Sequence, residues 1–317
     1  MADGSAMRPI GRRGPAVSAV GLGCSNFGTR VDGADAERLV HGAVDLGVTL
    51  FDVADNYGKR QAEQVLGAAL GSRRKHVILA TKFGSQMDDA GKLKGASRGY
   101  VMAAVEASLK RLNTDWIDLY QLHHPDPDVP LDETLRALDD LTRQGKIRFA
   151  GCSNLPAAQI AEAAGTARAA NLTGFVACQD EYSLLARDAE ADLIPAIREA
   201  DMGLLPYMPL AGGLLTGRFE AGMPPPPDTR LAVAQTLRMK FKFMRPATEP
   251  RVEALRALAR QSGRRFLELA IGWLLSRPVV ACVVAGASKV EQVAANVAAA
   301  RVKLTQDELD ALDRCTA

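Results

Sequence analysis

Four side chains in this 317-residue chain have types and spacing suited to a single reaction. An acid stands at Asp52 in Leu50-Phe51-Asp52, and a phenol at Tyr57 in Asn56-Tyr57-Gly58. An amine stands at Lys82 in Ala80-Thr81-Lys82, and an imidazole at His123 in Gln121-Leu122-His123. Delivering a hydride to a carbonyl carbon builds negative charge on oxygen, which needs a proton donor and a polarising hydrogen bond. A free tyrosine, with a pKa of about 10, is a poor acid at neutral pH. A neighbouring ammonium lowers that value, and a carboxylate holds the ammonium in place. The roles divide accordingly: Tyr57 is the general acid, Lys82 its activator, Asp52 the partner of Lys82, and His123 the donor that orients the carbonyl. Taken singly, each has a plainer reading. Strand-end Asp and Lys residues often form barrel ion pairs, a tyrosine can cap a pocket, and a histidine can be a satisfied core group. Their occurrence at successive strand ends favours chemistry.

The elements that must position them alternate along the chain. Short apolar runs at Val17–Gly23, Thr49–Asp52, Val77–Lys82, Ile117–His123, Ile147–Ser153, Val176–Asp180, Gly203–Pro206 and Val279–Val284 read as eight strands. None alternates polar with apolar, as expected of strands buried on both faces in a parallel sheet. Between them lie amphipathic helices, with apolar stripes such as Val101, Val105, Leu109, Leu112 and Leu131, Leu135, Leu138, Leu141. Ser288-Lys-Val-Glu291 and Thr305-Gln-Asp-Glu308 both fit a capping box at a helix start. Strand–helix alternation permits a closed barrel or an open doubly wound sheet. Eight strands, and no Gly-x-Gly-x-x-Gly between the first strand and helix, favour an α/β fold of the (β/α)8 TIM-barrel kind. An N-terminal hairpin around Gly11-Arg-Arg-Gly14 precedes it, and one barrel domain spans residues 1–317. In such a barrel the active site lies at the C-terminal ends of the strands, where the four residues fall. The proline-rich stretch from Gly222 to about Pro250 breaks the rhythm and reads as a lid over the barrel mouth.

Composition narrows the function classes. The 39 basic and 37 acidic residues leave a net charge of +2 with no clustered basic face, so nucleic acid is not an expected partner. No apolar run approaches the roughly 20 residues of a membrane span, and the first residues lack the pattern of a secretory signal. The cytoplasm is the expected compartment. Five cysteines, none at metal-ligand spacing, argue against a disulfide framework or a metal site, and Cys24, Cys152, Cys178 and Cys282 read as small buried hydrophobes.

Longer segments carry a family resemblance. Phe51-Asp52-Val-Ala-Asp-Asn-Tyr57-Gly58, Thr81-Lys82 and Asp118-Leu-Tyr-Gln-Leu-His123 resemble the catalytic segments of aldo-keto reductases. The similarity continues through Gly151-Cys-Ser153-Asn154, Gln179-Asp-Glu-Tyr182-Ser183, Gly212-Gly-Leu-Leu-Thr-Gly-Arg218 and Gly286-Ala-Ser288…Gln292…Asn296. It runs from about Val17 to the C-terminus, with the motifs in order. The resemblance implies a barrel that transfers a hydride from NADPH to a small-molecule aldehyde or ketone. By position it implies that Ser153, Asn154 and Gln179 hydrogen-bond the nicotinamide carboxamide and that Tyr207 stacks on the ring. Pro209, Leu210, Gly212 and Arg218 would follow the pyrophosphate, and Gly286, Ser288, Lys289, Gln292 and Asn296 the adenosine phosphate. The last group also opens a helix, whose free N–H groups attract anions.

Several positions depart from the family pattern. His124 stands where many members carry Trp or Arg, Met208 where Ser is frequent, and Ala295 where an acid often precedes Asn296. The Lys59–Glu63 link is short and lacks a Ser-Glu pair. Gln292 occupies a position where some members place Arg against the 2′-phosphate, and a branch that includes potassium-channel β subunits also has Gln there. Two other readings stay open: an NADP(H)-sensing interaction protein of that β-subunit kind, and a lyase using Lys82 as a Schiff-base amine. Substrate identity and oligomeric state are not fixed by the sequence.

Overall fold

In a computed structural model, the structure describes residues 7–219, 224–226, 229–232, 242–244 and 246–316. A two-stranded antiparallel hairpin, β1 (Arg8–Pro9) and β2 (Ala16–Val17), comes first. Eight parallel strands follow: β3 (Val20–Gly23), β4 (Leu50–Asp52), β5 (Ile78–Phe83), β6 (Ile117–Leu122), β7 (Ile147–Ser153), β8 (Phe175–Glu181), β9 (Gly203–Tyr207) and β10 (Val283–Gly286). They pair in the order β10-β3-β4-β5-β6-β7-β8-β9. Leu204 closes the ring by accepting from the Ala281 amide at 2.9 Å and donating to the Val279 carbonyl at 2.8 Å. The fold is therefore a (β/α)8 TIM barrel behind an N-terminal hairpin.

Two strands differ from the sequence reading by more than one residue at an end. The expected strand Val17–Gly23 is two pieces, with Val17 in the hairpin and Val20–Gly23 in the barrel. The expected strand Val279–Val284 divides its pairing: its first half bonds to β9, and the pairing with β3 runs from Val283 to Gly286. An unbroken apolar run cannot mark either change of partner.

The helices that cover the barrel carry the anticipated stripes. In α1 (Gly33–Asp45), α2 (Ala62–Leu70), α3 (Arg98–Leu112) and α4 (Leu131–Arg143) the buried residues line one face. Val101, Val105, Leu109 and Leu112 of α3, and Leu131, Leu135, Leu138 and Leu141 of α4, are all buried. Further round lie α5 (Ala157–Ala170), α6 (Leu193–Glu199), α7 (Glu249–Ser262), α8 (Phe266–Ser276), α9 (Val290–Ala300) and α10 (Gln306–Thr316). The capping box before α10 is present: the Thr305 amide donates to Glu308 Oε2 at 2.7 Å, and the Glu308 amide to Thr305 Oγ1 at 3.2 Å. The one expected at Ser288 is not. Lys289 stands at the N-cap without a side-chain bond, and the Ser288 amide instead donates to Gln292 Oε1 at 2.8 Å. The long Gln292 side chain reaches back to the loop and accepts from the Ser288 amide, the bond that Glu291 would make in the expected box.

Strand parity divides the apolar core in two. Leu22, Phe51, Leu79, Phe83, Tyr120, Leu122, Cys152 and Cys178 pack outward against the helices. A smaller cluster of Leu50, Ala80, Leu119, Ala177, Leu205 and Cys282 fills the barrel, and Ile10 and Val17 of the hairpin plug its lower end. The hairpin turn is pressed against the start of β9. A Cβ on Gly11, whose φ is +59°, would sit 2.5 Å from the Asp201 carbonyl oxygen, so only glycine fits there. Cys24, Cys152, Cys178 and Cys282 are buried free thiols. Nearly half of the span from Gly222 to Pro250, read as a lid, lies outside the described residues.

Candidate active site

The same parity that fills the barrel aims its functional groups. Because side chains alternate across a strand, the residue two positions after an inward one also points inward. Leu50 is followed by Asp52, Ala80 by Lys82, Leu119 by Gln121 and then His123, and Ala177 by Gln179. The inner surface thus turns from apolar to polar over a single layer.

Asp52 is the centre of that layer. Its Oδ1 and Oδ2 accept from Lys82 Nζ at 2.8 and 2.7 Å, and its Oδ1 accepts from Gln179 Nε2 at 2.8 Å and from Gln121 Nε2 at 3.4 Å. The third donor direction of Lys82 goes to the Val53 carbonyl at 2.9 Å. Burial lowers the proton affinity of this lysine. The Asp52 charge, the Tyr57 oxygen and hydrogen bonds to both outweigh that, holding the ammonium above the usual lysine value. A fully buried cation with its partner and three acceptor contacts is the arrangement that buried charge requires.

Tyr57 lies at the start of a short turn, Tyr57–Arg60, after the loop that leaves β4. Lys82 Nζ is 5.1 Å from the centroid of the phenol ring, and the His123 ring meets it edge-on at 5.7 Å between centroids. The turn behind it is unusual: Gly58, Lys59 and Arg60 have φ of 57°, 55° and 72°. A left-handed conformation costs a side-chain-bearing residue roughly 1–2 kcal/mol. A Cβ on Gly58 would lie 2.0 Å from the Phe27 carbonyl oxygen, so the backbone here is packed directly against the loop after β3.

His123 is buried, and its backbone amide donates to the Phe83 carbonyl at 2.9 Å. Burial, then the positive charge of Lys82 and the neighbouring His124, push its pKa down to about 2, so the imidazole is neutral. Its Nδ1 is 3.1 Å from Ser85 Oγ. His124 stacks on it at 4.5 Å, and burial followed by Lys82 lowers the pKa of this half-buried ring too. The four residues that the sequence grouped therefore share one rim.

The candidate cofactor residues form an arc over the neighbouring strand ends. Asn154 Nδ2 donates to Ser153 Oγ at 2.9 Å and to the His123 carbonyl at 3.0 Å, and its Oδ1 accepts from the Tyr207 hydroxyl at 2.8 Å. Ser153, Asn154, Gln179 and Tyr207 are thus brought together, with Gln179 held on Asp52. After Tyr207 the backbone turns through positive φ at Met208, Ala211, Gly212 and Gly213, past buried Pro209 and half-buried Leu210. Arg218 follows on the exposed surface. Gly286 ends β10 beside Gly23, and Ser288, Lys289 and Gln292 sit at the start of α9, with Asn296 buried one turn on. Amide groups at the strand ends, a tyrosine ring, glycine-rich backbone and a helix N-terminus beside a lysine match the chemistry of a nicotinamide dinucleotide.

Some participants were not singled out in the sequence. Ser85, Gln121, Asp55, Glu63 and Arg111 all lie on or directly behind the site. Asp55 and Gln121 fall inside the resemblance segments and Glu63 ends the short link, without a role assigned to any of them, and no local motif marks Ser85 or Arg111. Tyr182, left without a role, is packing: its hydroxyl donates to Glu190 Oε1 at 2.7 Å and its ring lies on Trp273. Among the described residues there is no cluster of potential metal ligands, and no helix is long and apolar enough to cross a membrane.

Comparison with known proteins agrees with this geometry. The model of the aldo/keto reductase family matches residues 19–317. This chain belongs to the aldo/keto reductase family. A rice (Oryza sativa subsp. japonica) protein named as a probable voltage-gated potassium channel subunit beta is 34% identical over 313 residues, covering 96% of this chain and 94% of the relative. An uncharacterized oxidoreductase of Bacillus subtilis (strain 168), YrpG, is 33% identical over 315 residues, with the same coverage of 96% and 94%. An Arabidopsis thaliana protein bearing the same channel-subunit name as the rice one is 33% identical over 315 residues, again covering 96% and 94%. The family is one of oxidoreductases, and the chain is an aldo/keto reductase of that kind.

Proposed function

We propose that this chain is a cytoplasmic, single-domain NADPH-dependent reductase that converts an aldehyde or ketone to an alcohol with Tyr57 as general acid. The observation that carries the reading is the completeness of the rim: a buried Lys82 paired with Asp52, a phenol over the ammonium, and a neutral imidazole beside the phenol. The reduced nicotinamide supplies the hydride when bound.

The residues of the chain perform the rest. Tyr57 gives its proton to the carbonyl oxygen as negative charge builds there, and Lys82 stabilises the charge left on the phenol oxygen. Asp52 keeps Lys82 in place and charged. Neutral His123 serves as a hydrogen-bond donor: with the Ser85 hydroxyl donating to Nδ1, the proton stays on Nε2, which faces the carbonyl oxygen. Asn154, braced by Ser153, Tyr207 and the His123 carbonyl, would hold the nicotinamide amide together with Gln179, and the Tyr207 ring would offer it a stacking face. Pro209, Leu210, Gly212 and Arg218 line the pyrophosphate. Gly286, Ser288, Lys289, Gln292 and Asn296 hold the adenosine 2′-phosphate end. Lys289 and the start of α9 supply positive charge for the 2′-phosphate while Gln292 adds hydrogen bonds without charge, so NADPH is favoured over NADH by about one to two powers of ten, the worth of one charge-assisted bond and less than an Arg fork would give.

The relatives named as channel subunits support a second reading, in which the bound cofactor is sensed rather than consumed. A site of that kind has no need of Tyr57 and Lys82 together. NADPH consumption measured against a panel of aldehydes and ketones separates the two. Tight cofactor binding with no turnover on any of them would favour the sensor. Sodium borohydride trapping addresses the lyase: a covalent adduct on Lys82 would contradict the reductase.

A further inference from the structure

The loop that carries Tyr57 holds a second carboxyl group that the reaction does not use. Asp55 lies two residues before the phenol and is 2% exposed. Its backbone amide donates to the Lys82 carbonyl at 3.3 Å, which ties it to the strand that bears the ammonium. Its Oδ1 has no hydrogen-bond partner, and the same is true of the buried Asn56 Oδ1 and Tyr120 hydroxyl.

The charged groups around Asp55 come from three elements. Glu63 of α2 is fully buried and accepts from Thr81 Oγ1 at 2.6 Å and from Arg111 Nε of α3 at 2.7 Å. Arg111 is also committed to Ser108 Oγ at 3.1 Å. Lys82 of β5 is held by Asp52. Tyr100 of α3 and Tyr120 of β6 face the same space, and burial followed by the Asp55 charge raises the pKa of both phenols. Two buried carboxyl groups therefore face one guanidinium, and Glu63 has it. Two like charges in so confined a space do not both ionise at ordinary pH. Burial, then the Glu63 charge, push the Asp55 pKa up to about 8, against the pull of Arg111, the Asn56 amide and Lys82.

We propose that Asp55 is a proton-controlled positioning residue: its ionisation slows reduction by setting a buried negative charge on the Tyr57 loop, two residues before the phenol that must release a proton. This rests on the reductase reading above. The proton balance is simple, since Asp55 exchanges its proton with water and no bond in the substrate is touched. A unit charge several ångströms away, at an effective dielectric of roughly 20, slows proton release about tenfold or more.

Stability carries the same signature. Asp55 has a folded-state pKa of about 8 against an ordinary value of 3.8. Its contribution is fully present below the unfolded pKa and is lost as pH rises through the folded one. Over that window the wild type should lose stability that Asp55→Asn does not lose.

The experiment measures kcat/KM for NADPH-dependent reduction and Tm across pH for the wild type, Asp55→Asn and Glu63→Gln. In the wild type kcat/KM should fall about tenfold, centred near pH 8. Asp55→Asn should lack that fall and show a flatter Tm profile between the two pKa values. Glu63→Gln, which frees Arg111 for Asp55, should move the fall to lower pH. Superimposable kcat/KM profiles for the wild type and Asp55→Asn overturn the proposal, whether or not the Tm profiles differ. So does an unmoved midpoint in a folded Glu63→Gln. A wild type that reduces no carbonyl removes the reductase reading and this role with it, whereas an active wild type with identical profiles removes the Asp55 role alone.

Discussion

The two ends of the barrel interior share one backbone and one strand parity, yet they do opposite things. At the lower end Leu50, Ala80, Leu119, Ala177 and Leu205 close on Ile10 and Val17 without a polar group among them. Two residues further along, the strands present Asp52, Lys82, Gln121 and Gln179, all buried and bonded through one carboxylate. The lower layer asks only for volume and apolarity, so many residues would serve. The upper layer is specific, because each buried polar atom there needs a named partner and a missing partner leaves a desolvated charge. The difference explains why the hairpin end can act as a plug while the other end can act on a substrate.

Four substitutions sharpen or break that contrast, starting with the largest effect. Lys82→Met leaves Asp52 buried without its cation and should cost about 3–5 kcal/mol of stability along with nearly all turnover. Urea unfolding and steady-state assays measure both, and a variant as stable and active as the wild type would end the idea of a buried ion pair serving catalysis. Next, Tyr57→Phe should lower turnover by roughly 10²–10⁴-fold while cofactor affinity and stability hold, since only a transition-state proton is lost. Retention of about a tenth of the activity or more would remove Tyr57 as the acid. At the opposite end, Ile10→Ala should cost about 2–5 kcal/mol through the cavity it leaves in the plug, with kcat unchanged in the folded fraction. If kcat fell in step with Tm, the two ends would not be separable. The smallest effect is expected at the rim: Lys289→Ala should weaken NADPH about tenfold by removing one charge-assisted contact and leave NADH unaffected. Fluorescence titration of both cofactors checks it, and parallel weakening of the two would contradict a contact to the 2′-phosphate.

Much of this could be read from the chain, though unevenly. The eight apolar runs located the strands because a strand buried on both faces is apolar throughout. For the same reason they could not say which residues point inward, and they hid the change of partner between Ala281 and Val283. The capping box at Thr305 followed from local spacing, whereas the similar one at Ser288 gave way to Gln292, which reached the loop first. The Lys59–Glu63 link stood out as short. Its left-handed turn and the burial of Glu63 followed from what packs against it, the Phe27 carbonyl and Arg111.

Residue types and order by themselves favoured the barrel, placed most strand ends to within a residue and picked out the four side chains that meet at its rim, because these rest on local periodicity and on chemistry carried by single side chains. Only the tertiary structure decided that Gln121 and Gln179 both turn to Asp52, that Ser85 stands behind His123, and that Glu63 rather than Asp55 holds Arg111. Those outcomes join residues 38 to 127 positions apart. They depend on which partner is within about 3 Å once water is excluded, a competition settled by the closed barrel and invisible along the chain.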